Sequence, residues 1–304
     1  MSHIDDIKRL RTESRNENSD NLDTMSIREI VDLMNKEDEK TVLAVREIKE
    51  EIAKMVQLVI DSFNNGGRLF YAGAGTSGRL GVLDAAECPP TFSVDRNMVI
   101  GLLAGGEKAL YSSIEGAEDI EDLAREDLKK HNFSSRDILV AIAASGRTPY
   151  AIGALKYAKE IGAKTGAITC NKGSKMASLA DIKMEAEVGA EVLTGSTRLK
   201  AATAQKMILN MISTASMVGI GKVYENLMVD VNPTNEKLFE RAKNMIVAIT
   251  GVADEVASQK LIESENSVKV AILSILKNQS AKESIRDLEK SKGHLRKALE
   301  AKEV

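Results

Sequence analysis

The chain has no tryptophan, and aromatic residues make up only 3% of its 304 positions. Proteins that grip single-stranded nucleic acid stack bases on aromatic rings, so that class of binder has almost nothing to work with here. A cationic excess is missing too. The 42 Lys and Arg against 45 Asp and Glu leave a formal charge of -3, which argues against a phosphate-backbone partner. Two cysteines, Cys88 and Cys170, are too few for a disulfide framework and suit a reducing compartment. The three histidines, His3, His131 and His294, stand apart from one another and from cysteine. Neither a zinc or iron centre nor a Ser-His-Asp or Cys-His arrangement is therefore expected. No apolar stretch has signal-peptide character or reaches the roughly 20 residues needed to span a bilayer. A cytoplasmic protein with no membrane or nucleic-acid partner is expected.

What is present is a globular composition, 43% hydrophobic and 29% charged, long enough for roughly two domains. Residues 1–25 are polar, so alone they are expected to be disordered or to lie on another surface. Ser26 and Glu29 then form a capping-box pair. Apolar residues at helical spacing follow, from Ile27 to Met34 and from Val42 to Ile60, and Asn64-Asn65-Gly66-Gly67 stops them.

From Arg68 the period changes. Short apolar runs at Leu69–Ala72, Met98–Leu103, Ile138–Ala143, Thr165–Thr169 and Ile182–Val188 alternate with helical stretches. That pattern predicts a doubly wound α/β domain over 68–222, its parallel sheet covered on both faces. Residues 1–67 form an arm and helices packing on it. Residues 223–304 form a helical region ending in a small three-helix domain, with breaks at Glu265-Asn266 and Asn278-Gln279. Met207, Met211 and Met217 are read as packing.

Ligands of such sheets bind beyond the carboxyl ends of the strands. The first strand runs into Gly73-Ala74-Gly75-Thr76-Ser77-Gly78-Arg79, which fits the dinucleotide glycine pattern. A nicotinamide site also needs an acid at the end of the second strand, and that strand ends Leu103-Ala104-Gly105-Gly106. The loop instead offers hydroxyls among glycines at a helix start. The same chemistry recurs at Ser145-Gly146-Arg147-Thr148-Pro149 and Gly195-Ser196-Thr197-Arg198. Each alone reads as an ordinary turn or cap. Three at corresponding junctions suit a phosphate monoester, which needs several converging donors. Acid–base work falls to carboxylates, and two stand out: Glu87, before Cys88-Pro89-Pro90 at the end of the helix after the first loop, and Glu118 in Glu115-Gly116-Ala117-Glu118-Asp119.

Four stretches together carry a family likeness: Gly73–Gly81 running on to Pro90, Glu115–Asp119, Ala143–Tyr150 and Gly189–Lys206. The chain resembles the N-acetylmuramic acid 6-phosphate etherases, which have the sugar isomerase (SIS) fold and are related to the glucokinase regulatory protein. The resemblance runs from Thr12-Glu13-Ser14-Arg15-Asn16 to the C-terminal helices. It implies a cofactor-free, metal-free lyase, a homodimer, that removes D-lactate from a small phosphosugar. It also implies that Glu87 donates a proton to the leaving lactate and that Glu118 is the second catalytic group, a base for C2 or for water. Substrate binding would fall to Gly75, Thr76, Ser77, Ser145, Gly146, Arg147 and Thr148, with Glu191 and Ser196 as candidates for sugar contacts. Two rivals stay open at this point: a phosphosugar-binding regulator without catalysis, and an aldose–ketose isomerase.

Overall fold

The computed structural model describes residues 10–231, 233 and 235–301; the reading of residues 1–9, His3 among them, falls outside these. Ile27–Glu47 (α1) and Lys49–Asn64 (α2) come first, followed by Leu69–Gly73 (β1), Gly75–Phe92 (α3) and Val99–Leu103 (β2). Glu121–Lys130 (α4), Ile138–Ile142 (β3), Pro149–Glu160 (α5), Lys164–Thr169 (β4), Lys175–Leu179 (α6) and Ile182–Glu185 (β5) complete the sheet region. Lys200–Gly219 (α7) leads on to Glu236–Thr250 (α8), Asp254–Glu263 (α9), Val268–Leu276 (α10), Ala281–Lys290 (α11) and Leu295–Glu300 (α12).

The five strands are parallel in the order β2-β1-β3-β4-β5, the doubly wound sheet that the apolar runs predict. All five residues of β1 and of β3 are buried, because helices cover both faces. On one face Phe70, Leu139, Tyr150, Ile152 and Leu155 share a core with Ala124 and Leu128 of α4. Elsewhere Gly166 of β4 makes room for Met55 of α2: a Cβ there would stand 2.5 Å from the sulfur.

The capping box forms as read, with the Glu29 amide donating to Ser26 Oγ (3.3 Å) and the Ser26 amide to Glu29 Oε2 (2.8 Å). The arm, over its described residues, takes the second of its two expected fates and lies on the rest of the chain. It is a series of 3-10 turns at Arg11–Glu13, Glu17–Ser19 and Leu22–Thr24, with Leu10, Thr12 and Asn16 buried. Polar bonds hold it: Asn16 Nδ2 donates to Glu37 Oε2 (2.9 Å) and to the Ala190 carbonyl (3.1 Å).

The described residues fall into two compact units. One comprises the residues up to Ala86 together with Arg96–Ser213; the other comprises Glu87–Asp95 and the residues from Thr214 on. In the second, α8 to α12 enclose Ile246, Leu261, Ile272, Leu273 and Leu295. Among the described residues from 251 on there are four helices where the spacing predicts three. The expected breaks occur, with left-handed backbone at Glu265, Asn266 and Asn278, but Lys292 and Gly293 add a further one. Glycine tolerates positive φ, so this break was available in the sequence.

Candidate active site

The strand order places the topological switch between β1 and β3, because the chain leaves β1 for one side of the sheet and β3 for the other. Loops at a switch diverge and open a crevice beyond the strand ends. In register, Gly73 of β1 pairs with Ile142 of β3. The first and second hydroxyl loops therefore leave the sheet side by side, as the sequence order alone does not show.

Close packing fixes the first loop. A Cβ on Gly78 would lie 2.4 Å from the Gly73 carbonyl oxygen, and one on Gly73 would lie 2.8 Å from that of Ile142. These glycines let α3 start directly against the strand ends. Gly75, by contrast, has open space around its Cα and needs only its φ of +53°. The segment read as a loop is thus mostly helix, since α3 begins at Gly75. Its other end also differs from expectation: α3 does not stop before the proline pair but runs through Pro89 and Pro90 to Phe92. Proline's fixed φ is compatible with a helix, so the pair can stand in its last turn although each lacks the amide donor.

Gly75, Thr76 and Arg79 line a cavity of about 310 Å³ with Ala104, Glu115 and Glu118. Arg79 was not singled out in the sequence; its Nε donates to the carbonyls of Ala109 (3.0 Å) and Leu110 (3.2 Å), which holds a cation at the cavity wall. Glu118 is exposed on the short 3-10 turn Ala117–Asp119, introduced by Gly116 at φ +78°. Glu87 is not among the lining residues. It is exposed on α3 and belongs to the second compact unit. A larger cavity, about 620 Å³, opens beside β5 between charged side chains including Glu51, Lys54 and Lys183, and contains none of the loop residues.

In the second loop, Ser145 Oγ accepts from the Arg147 amide (3.2 Å), and Gly146 sits at φ +65° against Ser174. Thr148 is the N-cap of α5 but makes no side-chain cap bond, and Pro149 follows at the first helical position, as read. The Thr148 hydroxyl is thereby left to something other than the helix.

The third loop has a different role from the first two. Glu191, a candidate sugar contact, is fully buried: Oε2 accepts from the Lys200 amide (3.0 Å) and Oε1 from the Ala201 amide (2.9 Å). Burial pushes its carboxyl up and the two amides pull against this. It caps α7, each oxygen accepting from an orphan amide of that helix. Ser196 is half-buried in the turn before α7, and its amide donates to Leu193.

Two polar links escaped the sequence reading because they join distant segments. Ser77 Oγ donates to Gln205 Oε1 of α7 at 2.9 Å. Asn171 Nδ2 donates to the Ala144 carbonyl (2.9 Å) and to Thr12 Oγ1 (3.0 Å), tying the arm to the Ser145 loop. Nearby on α3, buried Asp84 accepts from Asn210, Ser213 and Tyr71; burial raises its carboxyl and these bonds oppose it.

Relatives of known name match this chain almost end to end. It is 56% identical to the N-acetylmuramic acid 6-phosphate etherase of Bacillus cytotoxicus over 293 residues, which is 96% of this chain and 100% of that protein. Those of Bacillus cereus strain AH187 and Bacillus mycoides match over the same lengths at the same identity. The chain belongs to the N-acetylmuramic acid 6-phosphate etherase family. Residues 51–159 of this etherase-family chain match the glucokinase regulatory protein N-terminal SIS domain, and residues 122–215 match the SIS domain. Phosphoheptose isomerase from Neisseria gonorrhoeae is similar at a TM-score of 0.49 and 17% identity, over 63% of this chain and 98% of that one.

Proposed function

We propose that the chain is an N-acetylmuramic acid 6-phosphate etherase, a carbon–oxygen lyase releasing lactate and N-acetylglucosamine 6-phosphate. The observation that carries the reading is the Gly73–Ile142 register, with Glu118 lining the same cavity as Gly75 and Thr76. Near-complete matching to relatives named for that activity supports it.

The phosphate is assigned to Gly75, Thr76, Ser77, Ser145, Gly146, Arg147 and Thr148. A dianion at the starts of α3 and α5 meets hydroxyls, unpaired amides and favourable helix dipoles together. In the ring-opened sugar the C1 aldehyde acidifies the C2 proton. A base removes it, the C3–oxygen bond breaks as an acid protonates the departing lactate, and water then adds at C3 of the unsaturated aldehyde. The sum is one water consumed and one lactate released, with no change of oxidation state overall. Glu118 is proposed for the base, or for activation of water, and Glu87 for the acid. Position in the cavity supports Glu118; for Glu87 the support is its motif. Ser196 remains a candidate sugar contact through the turn before α7.

We place this activity in the cytoplasm, in a homodimer formed through helices flanking the sheet; exposed Ile27 and Val31 on α1 and Met211 on α7 are apolar residues that suit such packing. Among the described residues no helix is long and apolar enough to cross a membrane.

The match to a regulatory protein's SIS domain favours a second reading, phosphosugar binding without chemistry. Incubation with N-acetylmuramic acid 6-phosphate decides between them. Lactate release establishes the etherase, tight binding without lactate establishes the regulator, and product that keeps the substrate's mass indicates an isomerase.

A further inference from the structure

Gln205 lies on α7, in a different segment from every loop read as binding, and it is only 1% exposed. Its Oε1 accepts the Ser77 hydroxyl, while its Nε2 is buried with no hydrogen-bond partner among the described residues. Both atoms belong to one amide, so the unpaired donor sits beside the helix start formed by Gly75, Thr76 and Ser77. A primary amide brings two N–H donors, and an unmet buried donor opposes folding unless something completes it. The neighbouring groups are a serine hydroxyl and the amino end of a helix, an environment that draws an anionic oxygen.

We propose that Gln205 is a phosphate-binding residue: its Nε2 donates to an oxygen of the phosphoryl group seated at the start of α3, while its Oε1 orients the Ser77 hydroxyl. This rests on the phosphosugar reading above and adds to it a donor from outside the glycine loops. The design also selects against neutral sugars. A ligand lacking the phosphoryl oxygens leaves Nε2 unmet, so discrimination is built into the helix that backs the loop.

The test compares binding of N-acetylglucosamine 6-phosphate, inorganic phosphate and unphosphorylated N-acetylglucosamine by calorimetry. Gln205→Glu keeps an acceptor for Ser77 but replaces the donor with an anion, and should weaken both phosphate ligands by about tenfold or more, the factor expected for losing a bond to a charged group. Gln205→Met, which cannot be disabled by a buried charge, should weaken them in the same direction with the melting temperature maintained or raised. Ser77→Ala supplies the third corner. If Gln205 donates in its own right, the Ser77→Ala Gln205→Met double variant binds phosphate more weakly than either single variant. Unchanged phosphate affinity in folded Gln205→Met, or a double variant no weaker than Ser77→Ala, overturns the assignment. Should the parent chain bind inorganic phosphate but not the sugar phosphate, the substrate reading falls while Gln205 is still judged on phosphate. If it binds neither, both fall.

Discussion

Asn171 holds the carbonyl of Ala144, 2.9 Å from its side-chain nitrogen, directly before the Ser145 loop, and shares that same nitrogen with Thr12. A polar arm residue is thereby coupled to a proposed phosphate contact far from it in sequence. The Thr12 amide returns the contact by donating to Asn171 Oδ1 at 3.4 Å.

Thr12→Val keeps the shape of a fully buried side chain and removes its hydroxyl. It should cost roughly 1–3 kcal/mol of stability, because Asn171 is left with an unmet donor. In turnover it should raise KM for the phosphosugar more than it lowers kcat, and Thr12→Ser should restore both. Equal loss of kcat and KM function, with no rescue by serine, would separate the arm from the loop.

For the carboxylates, Glu118→Gln should lower kcat by about 100-fold or more while leaving affinity for the product nearly unchanged. Glu87→Gln should do the same. Lactate release at saturating substrate is the measurement, and a near-normal rate in either variant removes that residue from the chemistry.

The glycines of the first loop should separate by mechanism. Gly78→Ala puts a methyl group 2.4 Å from the Gly73 carbonyl and should cost several kcal/mol or prevent folding, beyond the ordinary 1–3 kcal/mol of overpacking. Gly75→Ala meets no atom within 4 Å and should lose only about 1–2 kcal/mol for its left-handed backbone. Chemical denaturation of the two variants ranks them.

Glu37 makes stability depend on acid. Its burial alone would raise its carboxyl, but Lys200, Lys40, Asn18 and Asn16 together bring it down to about 2 from the ordinary 4.5. A depressed carboxylate stabilises the fold above the unfolded value and loses that contribution as pH falls through the folded one. Stability should therefore fall between about pH 4.5 and 2, by at most about 3 kcal/mol at 1.36 kcal/mol per pH unit from this group. Glu37→Gln should flatten that slope in a pH series of denaturation curves. Lys200→Met should cost about 1–3 kcal/mol near neutral pH, because Glu37 loses its fully buried partner and keeps only the half-exposed Lys40 and the two asparagines.

Local physics made much of this molecule legible in one dimension. Short apolar runs alternating with helical stretches mark the strands to within a residue or so over β1 to β4, while β5 stops at Glu185, short of the expected Val188. The Ser26–Glu29 pair gave the start of α1. These are decided by residues a few places apart, through backbone sterics and the alternation of buried and exposed positions. The hydroxyls of the Gly73, Ser145 and Gly195 loops, and Glu118, are candidates that residue chemistry alone can name.

Only the tertiary structure separated the three loops. Strand order put the first two at the switch point, and the Gly73–Ile142 register set them side by side. The third loop's Glu191 was drawn inward to cap α7, since orphan amides at a helix start outbid any solvent-facing use of a nearby buried carboxylate. Gln205 and Asn171 carry no signal of their own in the chain. Their roles arise from hydrogen bonds across 128 and 159 residues, and such pairings exist only once apolar burial has brought the segments together.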